Sequence, residues 1–315
     1  MIVYGPVPSR RLGQSIGVNN IPPKVCSYSC IYCQLGRTDK MQAKRREFYK
    51  PEDIFNEAQQ KIKQLTAENK KADYISFVPD GEPTLDVNLG KEIELLKQLD
   101  TKIAVITNSS MLWLDDVKED LLKADWVSVK IDAADETAWH NIDRPHGSLK
   151  LPDILAGIQD FAKVFKGKLV TETMLVDSVN DSRRNLEKIA EQVALIQPDM
   201  AYLLVPTRPP AEQGVKRAES HILKEAADFI KSRAAVRVEC ITGDEQEEGF
   251  FVTENAIQDI LSITSVHPIR EDIIDDLLKK HNLSKAVIAG LVKEGKLVEF
   301  VYEGRNFFRR NLNSK

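Results

Sequence analysis

The chain has 315 residues, with 44 Lys and Arg against 48 Asp and Glu and a net charge of −4. With 42% hydrophobic and 29% charged residues, a disordered chain is excluded. An overall basic nucleic-acid binder is excluded too, though a local basic face is not. No stretch approaches the roughly 18 apolar residues of a membrane span, and the opening MIVYGPVPSRR has no apolar signal core. The expectation is a cytoplasmic protein with no membrane partner. At about 150 residues per domain the length allows two domains.

In chain order, turn residues and short extended pieces fill the first 35 positions. Helical periodicity over 51–65, 91–99, 115–122, 152–165, 185–195 and 223–232 then alternates with strand-like runs. Those runs are 74–78, 103–106, 126–129, 169–176, 201–205 and 236–241. Strands separated by helices predict an α/β fold with a parallel sheet and right-handed crossovers. Six or seven such units fall short of a full eightfold barrel. The pattern changes near Phe250. The acidic stretch 243–249 (GDEQEEG) reads as a surface loop. Helix-like stretches 254–262, 270–280 and 284–294 follow, then a hairpin pattern over 296–308 that turns at Glu303-Gly304. Three short helices and a hairpin predict a winged-helix domain. The predicted organisation is a partial (β/α)6-type barrel over 1–249 and a winged-helix-like domain over 250–315.

Of the four cysteines, Cys26, Cys30 and Cys33 form a C-x3-C-x2-C cluster, and Cys240 stands alone. In a cytosolic chain this clustering points to metal or redox chemistry, not disulfides. Three thiolates on one short loop can hold three corners of a [4Fe–4S] cluster. The fourth iron then lacks a protein ligand, and a small molecule can chelate it. The competing readings are a zinc site, which usually wants four protein ligands, and a four-cysteine cluster that recruits Cys240. Cys240 lies in a strand pattern and reads as a small buried hydrophobe.

The cysteine motif, with Tyr32 just before Cys33, resembles that of the radical SAM (AdoMet radical) superfamily. Further stretches resemble its Fe–S oxidoreductase subgroup related to wyosine-synthesising tRNA enzymes. These are 5–13 (GPVPSRRLG), Cys33-Gln34-Leu35-Gly36, Arg144-Pro145-His146 and 206–210 (PTRPP). The resemblance covers roughly residues 1–245. It implies a partial radical SAM barrel, a [4Fe–4S] cluster held by Cys26, Cys30 and Cys33, and S-adenosylmethionine on the unique iron.

By the same resemblance, Asp80-Gly81-Glu82-Pro83 corresponds to a GGEP element with Asp80 in place of the first glycine. Backbone carbonyls there would meet the S-adenosylmethionine ammonium; a plain turn is the alternative. Thr107-Asn108-Ser109-Ser110 resembles a Thr-Asn-Gly element. Thr107, Asn108 and Ser110 are candidates for the ribose or carboxylate, or for a helix cap. Strand alternation puts Ser128 and Lys130 on one face, and the resemblance gives Lys130 the cofactor's carboxylate; a surface lysine capping the strand is the alternative. Asp132 orients Lys130, binds substrate or caps the next helix. Glu172 shares its alternation with Met174 and Val176; turned inward it needs a ribose or an arginine as partner, and an outward orientation is the alternative. Arg144 and Arg208 are substrate-side candidates, with a solvated arginine as the alternative for each. The five histidines offer no triad, and no catalytic acid or base is assigned.

The implied reaction takes an electron from a donor such as flavodoxin or ferredoxin, cleaves S-adenosylmethionine, and abstracts hydrogen from substrate. The stretch 37–50 holds six basic and two acidic residues. Lys44, Arg45 and Arg46 at its centre could meet RNA phosphates or an acidic donor; a solvated loop is the alternative. The tail carries Arg305, Arg309 and Arg310 around Phe307-Phe308, which suits nucleic acid or protein. The wyosine enzymes carry extra cysteines for a second cluster and this chain has none to spare, so that particular activity is not expected. Three functions stay open: a radical SAM enzyme modifying tRNA or another RNA, one acting on a protein or peptide, and a non-enzymatic Fe–S sensor binding DNA.

Overall fold

A computed structural model describes residues 2–242, 256–266, 268–302 and 304–311. The first 35 positions hold more order than their turn residues suggest. Strands β1 (Val3–Ser9) and β2 (Gly13–Val18) form an antiparallel hairpin, with an irregularity between Tyr4 and Val7. Short strands β3 (Val25–Cys26) and β4 (Lys40–Met41) pair in parallel and close the cysteine loop between them.

The alternating region then follows the predicted order. It runs α1 (Pro51–Ala67), β5 (Tyr74–Phe77), α2 (Leu89–Lys97), β6 (Lys102–Thr107), α3 (Asp115–Leu121) and β7 (Trp126–Lys130). Next come α4 (Glu136–Ile142), α5 (Leu151–Val164), β8 (Lys168–Met174), α6 (Arg183–Ile196), β9 (Met200–Leu204), α7 (Ser220–Arg233) and β10 (Arg237–Ile241). The eight-stranded sheet has the order β1-β2-β5-β6-β7-β8-β9-β10, and every pairing from β2–β5 to β9–β10 is parallel.

Local sequence explains the boundaries. Helix α1 begins with Pro51 and carries Glu52 and Asp53 in its first turn, both favourable at a positive helix end. Its Ile54, Ala58 and Leu65 face the sheet. Helix α4, too short to stand out by periodicity, is capped by Asp135, whose carboxylate accepts from Ala138 N at 3.1 Å. The capping alternative for Asp132 is thereby corrected: the cap is three residues later.

Strand alternation divides the sheet cleanly. One face (Ile75, Phe77, Ile103, Val105, Val127, Val129) packs beneath the helices. The other turns Ala104, Trp126, Val170 and Tyr202 inward with Leu12. Each such fully buried apolar side chain contributes about 1.5–3 kcal/mol. Above this inner apolar layer the same alternation brings polar Ser128, Lys130 and Glu172 towards the C-terminal strand ends.

The last part comprises α8 (Ala256–Val266), β11 (Ile269–Arg270), α9 (Glu271–Lys280), α10 (Ala286–Lys293), β12 (Leu297–Tyr302) and β13 (Arg305–Arg310). Strands β11, β13 and β12 form a three-stranded antiparallel sheet. Ile260, Ile274, Leu277, Leu291 and Phe308 make a separate core, with Val7 of β1 packed against it. The acidic stretch 243–249, the boundary at 249/250, the start of the 254–262 helix and Glu303 of the turn lie outside the described residues. Lys61 reaches Asp259 at 3.5 Å, and Arg309 Nη1 donates to Gln34 O at 3.3 Å.

A buried acidic pair sits at the start of α2. Glu92 and Asp86 are both fully buried, and Asn20 Nδ2 donates to Glu92 Oε2 at 3.1 Å. Burial, then the Asp86 charge, pushes Glu92 up to about 9. Burial likewise raises Asp86, so the pair holds a shared proton at neutral pH. Its folded pKa lies above the unfolded value, so its stabilising contribution is full below about pH 4 and lost as pH rises towards 9. Glu92→Gln keeps the hydrogen bonds without needing that proton. Thermal unfolding should show it stabler than wild type by about 1–3 kcal/mol near pH 8.5, with no gain near pH 4. Parallel melting profiles across that range would show that no proton resides on the pair.

Candidate active site

The C-terminal ends of the parallel strands surround a cavity of about 350 Å³. Cys26, Cys30 and Cys33 all line it, and none is in a disulfide. Backbone bonds fix their loop: Cys33 N donates to Cys30 O at 3.1 Å, Ser29 N to Asp143 O at 3.0 Å, and Ile31 N to Ile142 O at 2.9 Å. Tyr28 anchors it from below, its hydroxyl accepting from Trp139 Nε1 at 3.1 Å. Burial raises all three thiols, Cys26 to about 12 with Glu82 adding to the effect. Iron coordination deprotonates such thiols outright.

The donor set suits a cluster better than one ion. Among the described residues no group of three or more His, Cys, Asp or Glu is placed to hold a single metal ion. Cluster ligands reach separate irons and so stand further apart. Cys240 does not line the cavity, so neither zinc nor a four-cysteine cluster gains a fourth thiol from it. It is also exposed, not buried as its strand pattern suggested. The strand is the sheet edge, and Cys240 faces away from the barrel interior.

Asp80, Gly81 and Glu82 line the cavity; Pro83 opens a short 3-10 turn behind it. A Cβ at Gly81 would stand 1.9 Å from Val25 O, so only glycine lets this loop approach the strand leading into Cys26. Both oxygens of Glu82 are engaged. Oε1 accepts from Thr84 N (3.0 Å), Thr84 Oγ1 (2.6 Å) and Thr107 Oγ1 (2.6 Å), and Oε2 from Asn108 N (2.7 Å). Burial raises its pKa against these hydrogen bonds.

Thr107 and Asn108 line the cavity, but their polar groups are committed. The Thr107 hydroxyl is held by Glu82, while Asn108 Nδ2 donates to Ser27 Oγ at 2.9 Å and lies 3.5 Å from Cys26 Sγ. Ser110 is behind the wall and shares a 2.6 Å hydrogen bond with Ser27. In this conformation these groups tie loops together, which corrects the expectation that Ser110 faces ribose or carboxylate. Ser109 occupies the glycine position of the resembling element with φ +69°, a region that favours glycine. Its hydroxyl accepts from Lys130 N at 2.7 Å, which helps hold that backbone.

A buried charge network forms the floor. Arg11 pairs with Glu172, and Ser128 Oγ donates to Glu172 Oε1 at 2.7 Å. Burial alone would raise Glu172, but Arg11 and Lys130 outweigh it and hold the carboxylate below its usual range. Lys130 lies 5.1 Å from the Tyr32 ring centroid. Burial lowers its pKa, but Asp132 and Glu172 more than compensate and keep it charged. The Tyr32 hydroxyl donates to Asp132, which also accepts from Met174 N at 2.7 Å. Burial and then Asp132 push Asp143 well up, and it accepts from the Cys30 thiol at 3.3 Å. Arg11, Lys130, Glu172 and Tyr32 line the cavity; Ser128 and Asp132 support it from behind.

The substrate candidates separate. Arg208 lines the cavity and donates to Gln34 Oε1 at 2.9 Å. Arg144 instead grips Glu212 at 2.6 Å, together with Arg37 at 2.6 and 3.0 Å, and the arginines hold Glu212 down near 2. Arg45 is a correction: its side chain is only 7% exposed. It donates to Thr84 O and Asp86 O and pairs with Asp116 and Asp120, so it is a structural clamp and not part of a phosphate-binding patch. Lys44 and Arg46 are exposed away from the cavity, Arg46 lying over Phe48 at 4.7 Å.

Sequence reasoning missed Arg11, Asp143 and Gln34. Arg11 lies within the quoted opening motif, yet only the hairpin β1–β2 shows that it enters the barrel.

A radical SAM superfamily family model matches residues 20–191. The chain belongs to the radical SAM superfamily. It is 45% identical over 314 residues to a UPF0026 protein of Methanocaldococcus jannaschii, covering 100% of this chain and 97% of that one. It is 32% identical to a protein of Brachyspira hyodysenteriae named GTPase Obg, covering 96% of this chain but only 44% of that one. A solved structure of TYW1 with a lysine-pyruvate adduct is similar in fold, with a TM-score of 0.55, 15% identity, and coverage of 75% of this chain and 77% of that one. As a radical SAM protein the chain is an enzyme that uses a [4Fe–4S] cluster and S-adenosylmethionine. No helix among the described residues is long and apolar enough to cross a membrane.

Replacing Cys26, Cys30 or Cys33 singly by Ala should cut anaerobically reconstituted iron and the visible charge-transfer absorbance by most of their value, with far-UV circular dichroism unchanged. Cys240→Ser should leave both at wild-type levels; loss of iron there would make Cys240 a ligand.

Proposed function

We propose that this enzyme holds the cluster on Cys26, Cys30 and Cys33 and transfers hydrogen from a macromolecular substrate, RNA first, to a 5′-deoxyadenosyl radical. The observation that carries this reading is the meeting of all three cysteines with the charged Lys130 in one cavity at the C-terminal strand ends. When bound, the cluster and S-adenosylmethionine supply the radical chemistry.

The chain's own residues do the rest. Lys130 offers a cation for the cofactor's carboxylate, and Tyr32 beneath it keeps the ammonium in place by a cation–π contact. Asp132 and Glu172 supply the negative field that keeps Lys130 protonated. Asp80 and Gly81 present their loop to the cofactor's amino end. The walls of Tyr28, Ile106, Met174 and Val205 limit water around the reacting atoms. An external donor such as flavodoxin or ferredoxin supplies the electron. Cytoplasmic residence fits that supply and the reduced thiols.

The RNA reading rests on the tail, proposed here as a winged-helix-like domain over 250–315. Its hairpin carries Arg305 and Arg309 and touches the cysteine loop at Gln34. A strand bound there would lie beside the cavity. The exposed Val298 (38%) and Val301 (68%) on edge strand β12 favour the second reading, a protein or peptide substrate. Membership of an enzyme superfamily removes the sensor reading.

The test is anaerobic release of 5′-deoxyadenosine by the reconstituted enzyme, with and without bulk undermodified tRNA. RNA modification predicts at least a several-fold stimulation by tRNA, lost in an Arg309→Ala variant that retains basal cleavage. Stimulation by a protein fraction and not by tRNA would move the substrate to the second reading.

A further inference from the structure

The tip of the β1–β2 hairpin carries a guanidinium into the cavity, apart from the groups that serve the cofactor. Ser9 Oγ accepts from Arg11 N and from Leu12 N, both at 3.3 Å, and so fixes the tip. Leu12 packs into the inner apolar layer with Val170 of β8 and Tyr202 of β9. That anchor sets Arg11 beside those two strands, where its side chain is 22% exposed and lines the cavity.

Arg11 Nη1 donates to Glu172, which also accepts from Ser128 Oγ at 2.7 Å. The carboxylate thereby holds the guanidinium plane. Among the described residues no acceptor takes Nε or Nη2 of Arg11. These two atoms form the side-on edge of the guanidinium, whose parallel N–H groups match two oxygens of one anionic group. Glu172 does not repel such a group as a bare charge would, because Arg11 and Lys130 both face it.

The wall around Arg11 suits an anion. The hairpin tip and the ends of β8 and β9 give the lining Arg10, Arg11 and Arg208 against one carboxylate, Glu172. Arg10 is exposed at the rim, and Arg208 donates to the Gln34 amide oxygen at 2.9 Å. Thr207, next to Arg208, also lines the cavity and brings a hydroxyl donor. Leu204, Val205 and Pro206 are the apolar part of the same wall, and apolar surroundings strengthen a charge-assisted hydrogen bond.

Resting on the reading of this cavity as the active site for an RNA substrate, we propose that Arg11 is a substrate-binding residue whose side-on edge holds a phosphate group, with Arg208 and Thr207 completing the site. A tetrahedral phosphate has oxygens enough for donors that arrive from the hairpin and from the loop after β9 together. Arg10 at the rim draws the anion in. The two buried cations of the cavity thus have separate duties: Lys130 serves the cofactor's carboxylate, and Arg11 the substrate's phosphate.

Arg11→Lys separates the two jobs of the guanidinium. It keeps a cation for Glu172 and removes the paired N–H edge. The full chain is used with its cluster reconstituted and oxidised, so that no turnover occurs. Equilibrium dialysis at low ionic strength measures S-adenosylmethionine, and then inorganic phosphate in its presence. Arg11→Lys should weaken phosphate by about tenfold, the loss of one charge-assisted hydrogen bond, with S-adenosylmethionine affinity and far-UV circular dichroism retained. Displacement of the phosphate by a hexauridylate RNA assigns the site to an RNA backbone. Displacement by uridine 5′-monophosphate and not by hexauridylate would keep the phosphate site and assign it to a free nucleotide. Equal phosphate affinity in wild type and Arg11→Lys, equal loss of phosphate and S-adenosylmethionine, or displacement by acetate as readily as by uridine 5′-monophosphate would overturn the proposal. So would a wild-type protein that binds S-adenosylmethionine but no phosphate. Failure of the wild type to bind S-adenosylmethionine at all would instead sink the reading of the cavity itself.

Discussion

The Glu82 carboxylate is the constraint on which the site depends. Its oxygens join the turn after β5 to the loop after β6 through Thr84, Thr107 and Asn108. Asn108 then reaches Ser27 and Cys26, and Ser110 reaches Ser27. Three loops on separate strand ends thus become one unit, and the cysteine loop inherits its position from hydrogen bonds that start at a single buried anion. A carboxylate suits this role because each oxygen can take several donors, and charge-assisted bonds are about twice as strong as neutral ones. Removing it would strand the Thr107 hydroxyl and the Asn108 N–H in a dry interior, at about 1–3 kcal/mol for each group.

The second organising element is charge balance within the barrel. Glu172 and Asp132 flank Lys130, and Arg11 arrives from the β1–β2 hairpin to pair with Glu172. Lys130 is placed by the alternation of β7, whereas Arg11 is not placed by the parallel strands. The hairpin has to fold across the barrel before Arg11 meets its partner. Burial of so many ionised groups is tolerable only because each faces an opposite charge and a donor or acceptor.

Much of this was legible in the sequence. Period-two alternation put Ser128 and Lys130 on one face, and the cysteine spacing marked the loop that borders the cavity. The roles of Glu82 and Thr107 were less visible, because the same residue types serve equally as cofactor contacts or as loop ties. Arg45 was misread for a related reason. Its neighbours Lys44 and Arg46 make the local sequence look like a solvated basic patch, but its partners Asp116 and Asp120 lie on α3 and meet it only through packing. The β1–β2 hairpin was hidden by its own Gly and Pro residues, which read as turns. Asp143 gave no local signal at all, since its importance comes from proximity to Cys30 and Asp132 across the fold.

The cysteine loop is also where the rest of the chain converges, and this bears on how substrate and chemistry meet. Gln34, directly after Cys33, is held through its side chain by Arg208 and through its carbonyl by Arg309. Arg37 and Arg144 fasten Glu212, whose N–H donates to Ile31 O at 3.1 Å. The loop after β9 and the C-terminal hairpin therefore rest on the same few residues that carry the cysteines. A ligand that draws Arg208 or Arg309 towards itself must release Gln34, and the release is felt one residue from Cys33. These contacts are individually weak where they face solvent, so they can be exchanged for substrate contacts at little cost. A substrate that engaged these arginines would in this way also shift the cysteine loop.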